Sequence, residues 1–102
     1  MEILNEIKQA IISIEPEAEV YLFGSRARGT HKDDSDWDVL VLLPGKVNYL
    51  RKEKIWNALY NLQYFNGIAL SIAVKEKDFW DNNQIYHHTE FYKNLTKEMA
   101  AL

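Results

Sequence analysis

No cysteine occurs in the chain, which excludes a disulfide framework and any thiolate-bound metal. Long apolar runs are missing too. The longest falls far short of the ~20 residues that a membrane helix needs. Basic charge is not in excess: 12 Lys and Arg against 15 Asp and Glu leave a net charge of −3. That balance argues against a sequence-independent nucleic-acid binder, so no direct DNA binding is expected. It leaves room for a nucleotide held locally by Arg26, Arg28 and Lys32. The opening Met1-Glu2-Ile3-Leu4-Asn5-Glu6 lacks the basic-then-apolar order of a signal peptide, and cytoplasm is the expectation, with no membrane partner. Repeats, linkers and low-complexity segments are absent. A length of 102 residues suits one domain spanning 1–102, with a single core.

What is present is a regular alternation of elements. Ile3, Ile7, Ile11 and Ile14, with Leu4 and Ala10, recur at helical spacing, and Pro16 ends that helix. Val20 to Phe23 reads as a buried strand. Trp37 to Leu43, apolar on both faces apart from Asp38, reads as a central strand covered on both sides. Leu50 to Phe65 reads as a helix with Ile55, Ala58, Leu59 and Leu62 inward, closed by Asn66-Gly67 in a left-handed cap. Ile68 to Val74 reads as a third strand, Lys75 to Asn83 holds a short turn around Phe79 and Trp80, and Thr89 caps a last helix. The expected class is α+β (α/β): a small mixed sheet with flanking helices.

Chemistry concentrates between the first two strands. Gly24-Ser25 leaves the apolar run Val20–Phe23, and backbone N–H groups at such a turn, or at a helical turn starting near Ser25, cradle phosphate. Asp36 and Asp38 stand two apart, so on a strand they share a face. Two carboxylates about 4 Å apart repel by about 4 kcal/mol at an effective dielectric near 20. A cation between them, or a retained proton on one of them, relieves that repulsion, and hard oxygen ligands suit magnesium. A metal pair beside a phosphate cradle is the equipment of phosphoryl or nucleotidyl transfer.

Gly24-Ser25, a short basic loop, and then Ser35-Asp36-Trp37-Asp38-Val39-Leu40-Val41 resemble the signature of the DNA polymerase beta-like nucleotidyltransferase superfamily. Among its members the chain looks most like the minimal nucleotidyltransferases. The resemblance implies that Gly24, Ser25 and neighbouring amides hold the phosphates of a nucleoside triphosphate, with Arg26 and Arg28 steadying the leaving group. It implies that Asp36 and Asp38 are catalytic and bind two magnesium ions. It also implies an antitoxin role, in which AMP passes to a tyrosine of a HEPN-type toxin partner. One departure stands out: where the family carries a third carboxylate, the aligned strand Leu70-Ser71-Ile72-Ala73-Val74 has Ser71. Glu76, Glu17 or Glu19 could replace it in space.

Blander readings accompany these. Gly24-Ser25 alone is also an ordinary turn with a helix cap, and Asp36 and Asp38 also a solvated strand entrance. Asp33 and Asp34 read as loop solubility, and Arg26 and Arg28 could simply pair with these two aspartates. His31 reads as solvated, His87-His88 lacks a metal-spaced partner, and Trp37 reads as core. Trp56, Tyr60, Tyr64, Phe65, Phe79 and Trp80 read as core or partner surface. Two competing functions follow: a catalytically impaired binding module that neutralises a partner by contact, and a homodimer joined through the last helix.

Overall fold

A computed structural model describes residues 2–102. Ten elements follow one another: α1 (Glu2–Ile14), β1 (Glu19–Phe23), α2 (Gly24–Arg28), β2 (Trp37–Leu43), α3 (Tyr49–Asn66), β3 (Leu70–Glu76), α4 (Lys77–Asn82), α5 (Gln84–His87), α6 (Glu90–Glu98) and β4 (Ala100–Ala101). The four strands form one mixed sheet in the order β3-β2-β1-β4. β1 runs antiparallel to β2 and β4, whereas β2 and β3 are parallel. The α+β class and mixed sheet expected from the sequence are what the chain adopts.

The central strand is β2. Its odd positions Val39, Val41 and Leu43 pack with Ile7 and Ile11 of α1 and Ile55 and Leu59 of α3. Its even positions Leu40 and Leu42 pack with Trp80 of α4 and Leu95 of α6. Burial on both faces explains why this run lacks the polar alternation of a half-exposed strand. Each such side chain taken from water contributes about 1.5–3 kcal/mol. Of the aromatics read as core or partner surface, Trp80 joins the core, whereas Phe79 and, on α3, Trp56, Tyr60, Tyr64 and Phe65 are exposed.

Local signals held at several ends. Gly67 caps α3 at φ 62°, and the Thr89 hydroxyl caps α6 by accepting from the Tyr92 N–H. The third strand lies two residues later than its apolar run suggested. Ile68 is spent on the helix cap, its N–H donating to Gln63 O, while Lys75 and Glu76 continue the ladder opposite Leu42 and Leu43. Both α5 and β4 went unread. At the far end of the sheet Arg51 ties α1 to α3: it grips both oxygens of Glu15 at 2.9 Å and donates to the carbonyls of Pro44 and Lys46. Among the described residues no helix is long and apolar enough to cross a membrane.

Candidate active site

The strand register builds the site. Asp38 is opposite Phe23 of β1 on one side and Ser71 of β3 on the other. Asp38 therefore sits beside the residue from which α2 departs. Being even-numbered on β2, it shares its face with Leu40 and Leu42, on the side covered by α4 and α6. Asp36 precedes the strand by one residue and is exposed. Trp37, between them, is buried on the opposite face, as its parity requires.

Gly24 has φ +73°, and a Cβ there would lie 2.0 Å from Asp38 Oδ2. The bend out of β1 thus passes directly over the Asp38 carboxylate. Glycine is required twice, for its left-handed backbone and for the space its missing side chain leaves. This approach joins the two halves of the sequence motif, the Gly-Ser turn and the aspartate pair. Ser25 follows in α2, half-buried, with its carbonyl accepting from Thr30 N–H at 3.0 Å.

The two arginines part ways. Arg26 turns into the loop, donating from Nε to Ser35 O and from Nη2 to Asp33 O, both at 3.1 Å. Its guanidinium lies 4.0 Å from the centre of the Trp37 ring, a stacked cation–π contact. It braces the segment that delivers Asp36. Arg28 points elsewhere, its Nη1 standing 2.6 Å from Glu98 Oε2. Neither arginine forms the ion pair with Asp33 or Asp34 that the loop suggested: Arg26 meets Asp33 through its backbone carbonyl and Arg28 pairs with Glu98.

Glu98 is the residue that sequence reasoning missed. Its Oε1 accepts from Gly24 N–H at 3.3 Å, 74 positions away. The acids proposed to stand in for the absent third carboxylate are elsewhere. Glu76 accepts from Val47 N–H, and Glu19 pairs with Lys77; both lie at the opposite end of the sheet, opposite Leu43 and Leu42. Glu17 precedes β1 at that same far end. Ser71 is exposed next to Asp38. No signal in the sequence marks Glu98, an ordinary glutamate at the end of an amphipathic helix.

The electrostatics are those of crowded acids. The Asp38 carboxyl is pushed above its ordinary range by burial first, then by Asp36 and Glu98, with Arg28 opposing. Negative charge in excess of local compensation suits a divalent cation, for which one or two carboxylates suffice when water and phosphate complete the shell. Asp36 and Asp38 fit that requirement. Among the described residues no three His, Asp or Glu side chains gather round a common metal position. His87 is structural: its Nε2 lies 2.7 Å from Trp80 O, and its ring stacks on Tyr92.

A family model described as a nucleotidyltransferase domain matches residues 4–100. A Methanocaldococcus jannaschii protein named as a candidate protein adenylyltransferase is 38% identical over 81 residues, covering 76% of this chain and 80% of that protein. The fold superposes with TM-score 0.65 on a chain from the crystal structure of a toxin–antitoxin pair with AMP-PNP, at 17% identity, covering 95% of this chain and 69% of that one. It superposes with TM-score 0.58 on a chain from the structure of a tri-AMPylated Shewanella oneidensis HEPN toxin in complex with its MNT antitoxin, at 17% identity, covering 99% and 71%.

Proposed function

Because the chain belongs to the nucleotidyltransferase-domain family and is a nucleotidyltransferase, we propose that it transfers AMP from ATP to a hydroxyl, with residues 1–102 acting as one catalytic unit in the cytoplasm. The observation that supports this reading is the approach of Gly24 to Asp38, which brings the Gly-Ser bend against that carboxylate. Asp36 and Asp38 hold magnesium, which supplies neutralisation of the attacking and leaving oxygens when bound. The Gly24 and Ser25 amides and Arg28 hold the β- and γ-phosphates. Arg26, occupied by loop carbonyls, positions Asp36 and contributes to the phosphates only through its charge. The bond that forms joins the acceptor oxygen to the α-phosphorus. The bond that breaks is the α–β anhydride, and pyrophosphate leaves toward Arg28. Ser71 is a poor base, so the acceptor proton leaves to solvent.

The acceptor we propose is a tyrosine of a HEPN-type toxin. The name of the archaeal relative and the AMPylated toxin bound to the fold neighbour support it. A second reading is a contact-only module that masks its partner, favoured by Ser71 standing beside Asp38. Incubation with labelled nucleoside triphosphates and magnesium, with and without the HEPN protein, separates them. Label should reach the partner with the native chain and not with Asp36→Ala plus Asp38→Ala. Label transfer by that double variant refutes the site, and neutralisation of the partner without any transfer supports the second reading.

A further inference from the structure

We infer that Glu98 is a built-in anion seated on the donors that the triphosphate uses, and that nucleotide must displace it to bind. The inference rests on the phosphate site proposed above. Glu98 takes the Gly24 N–H with one carboxylate oxygen and Arg28 with the other, at 3.3 and 2.6 Å. A carboxylate bridging an amide and a guanidinium presents what two non-bridging phosphate oxygens present: paired acceptors carrying negative charge. Phosphate and Glu98 therefore compete for the same two groups.

The contact is held in place rather than incidental. The Glu98 side chain is only 17% exposed, against 50% for Arg28. Its backbone is pinned between buried Leu95, packed under the sheet, and β4, where Ala100 pairs with Leu22. Release therefore requires the side chain to rotate or the end of α6 to shift. A cleft of about 490 Å³ lined by Arg28, Asn94, Lys97 and Glu98 adjoins the contact. Once Glu98 swings aside, that cleft keeps two cations for the phosphate tail. Asp38, on the sheet face that α6 covers, and Asp36 carry like charge nearby, so Glu98 also adds to the negative field that an incoming polyphosphate meets.

The opposite role, in which Glu98 joins the aspartates as a third oxygen donor, predicts the opposite sign. Calorimetric titration of the full chain with ATP plus magnesium, and separately with inorganic pyrophosphate, decides between them. Glu98→Gln keeps the shape and the acceptor to Gly24 but removes the charge. It should bind both ligands about fivefold more tightly, the factor that about 1 kcal/mol of partly screened ion pairing corresponds to. Glu98→Asp, whose shorter reach loosens the contact while keeping the charge, should fall between the two. The Gly24 amide resonance of the free protein should move on Glu98→Gln and again on adding pyrophosphate. Equal or weaker binding by both variants overturns the inference while leaving the transfer reading intact. If neither the native chain nor the variants bind ATP with magnesium, the phosphate site itself falls, and the inference falls with it.

Discussion

Replacing Gly24 by alanine tests the joint on which the site depends. The added Cβ would stand 2.0 Å from Asp38 Oδ2, with Cγ at 2.9 Å. Ordinary non-bonded contact is about 3.5 Å, so the carboxylate or the bend must give by more than about 1 Å. Rotating Asp38 away relieves the clash at little cost to the core, because Asp38 lies at the rim and Leu40 and Leu42 hold the strand beneath it. The backbone adds its own penalty: φ of +73° is left-handed, costing a residue with a Cβ about 1–2 kcal/mol. For a chain of this length that lowers the melting temperature by roughly 5–15 °C. The chemical effect should be far larger, since about 1 Å of misplacement can cost about 100-fold in rate. Thermal denaturation and nucleotide transfer, measured on the same preparation, separate the two. We expect a folded protein whose transfer is lower by about two orders of magnitude. A Gly24→Ala protein that transfers at the native rate would show that the bend and Asp38 do not share a reaction centre.

Two further perturbations follow from the charges. Asp38 has a raised carboxyl, so its ionised form costs stability. The cost is absent below the ordinary value of about 3.9, sets in as pH rises past it, and is complete once pH exceeds the folded-state value. Asp38→Asn should therefore melt higher than the native chain at pH 7 and equally near pH 3, while losing transfer; a lower melting temperature at pH 7 contradicts the crowding. Glu15 behaves in the reverse sense: the Arg51 hydrogen bond holds its carboxyl below the usual range despite partial burial, so its contribution is present at neutral pH and lost as pH falls through the lowered value. Arg51→Met removes this pair and two carbonyl contacts and should cost about 2 kcal/mol at pH 7, with a flatter acid limb in pH-dependent unfolding; an unchanged acid limb would exclude the pair as its source.

Much of this protein was legible in the order of its residues, because the signals are short-range. The 3.6-residue recurrence of isoleucines makes α1, two-sided apolarity makes β2, and Asn66-Gly67 and Thr89 close or open helices by hydrogen bonds to residues three or four away. The spacing of Gly24-Ser25 to Asp36 and Asp38 carries the family resemblance without any tertiary contact. β3 lies two residues later than its apolar run because Ile68 is taken by the cap of α3, while β2 offers Leu42 and Leu43 as partners to the polar Lys75 and Glu76 at the other end. The division of labour between Arg26 and Arg28, and the arrival of Glu98 beside Gly24, had no local signature. They follow from Leu95 docking α6 under Leu40 and Leu42, which carries the end of that helix to the mouth of the sheet. Periodicity and turn chemistry act over a few residues and can be read in order. A contact spanning 74 positions exists only once the core has packed.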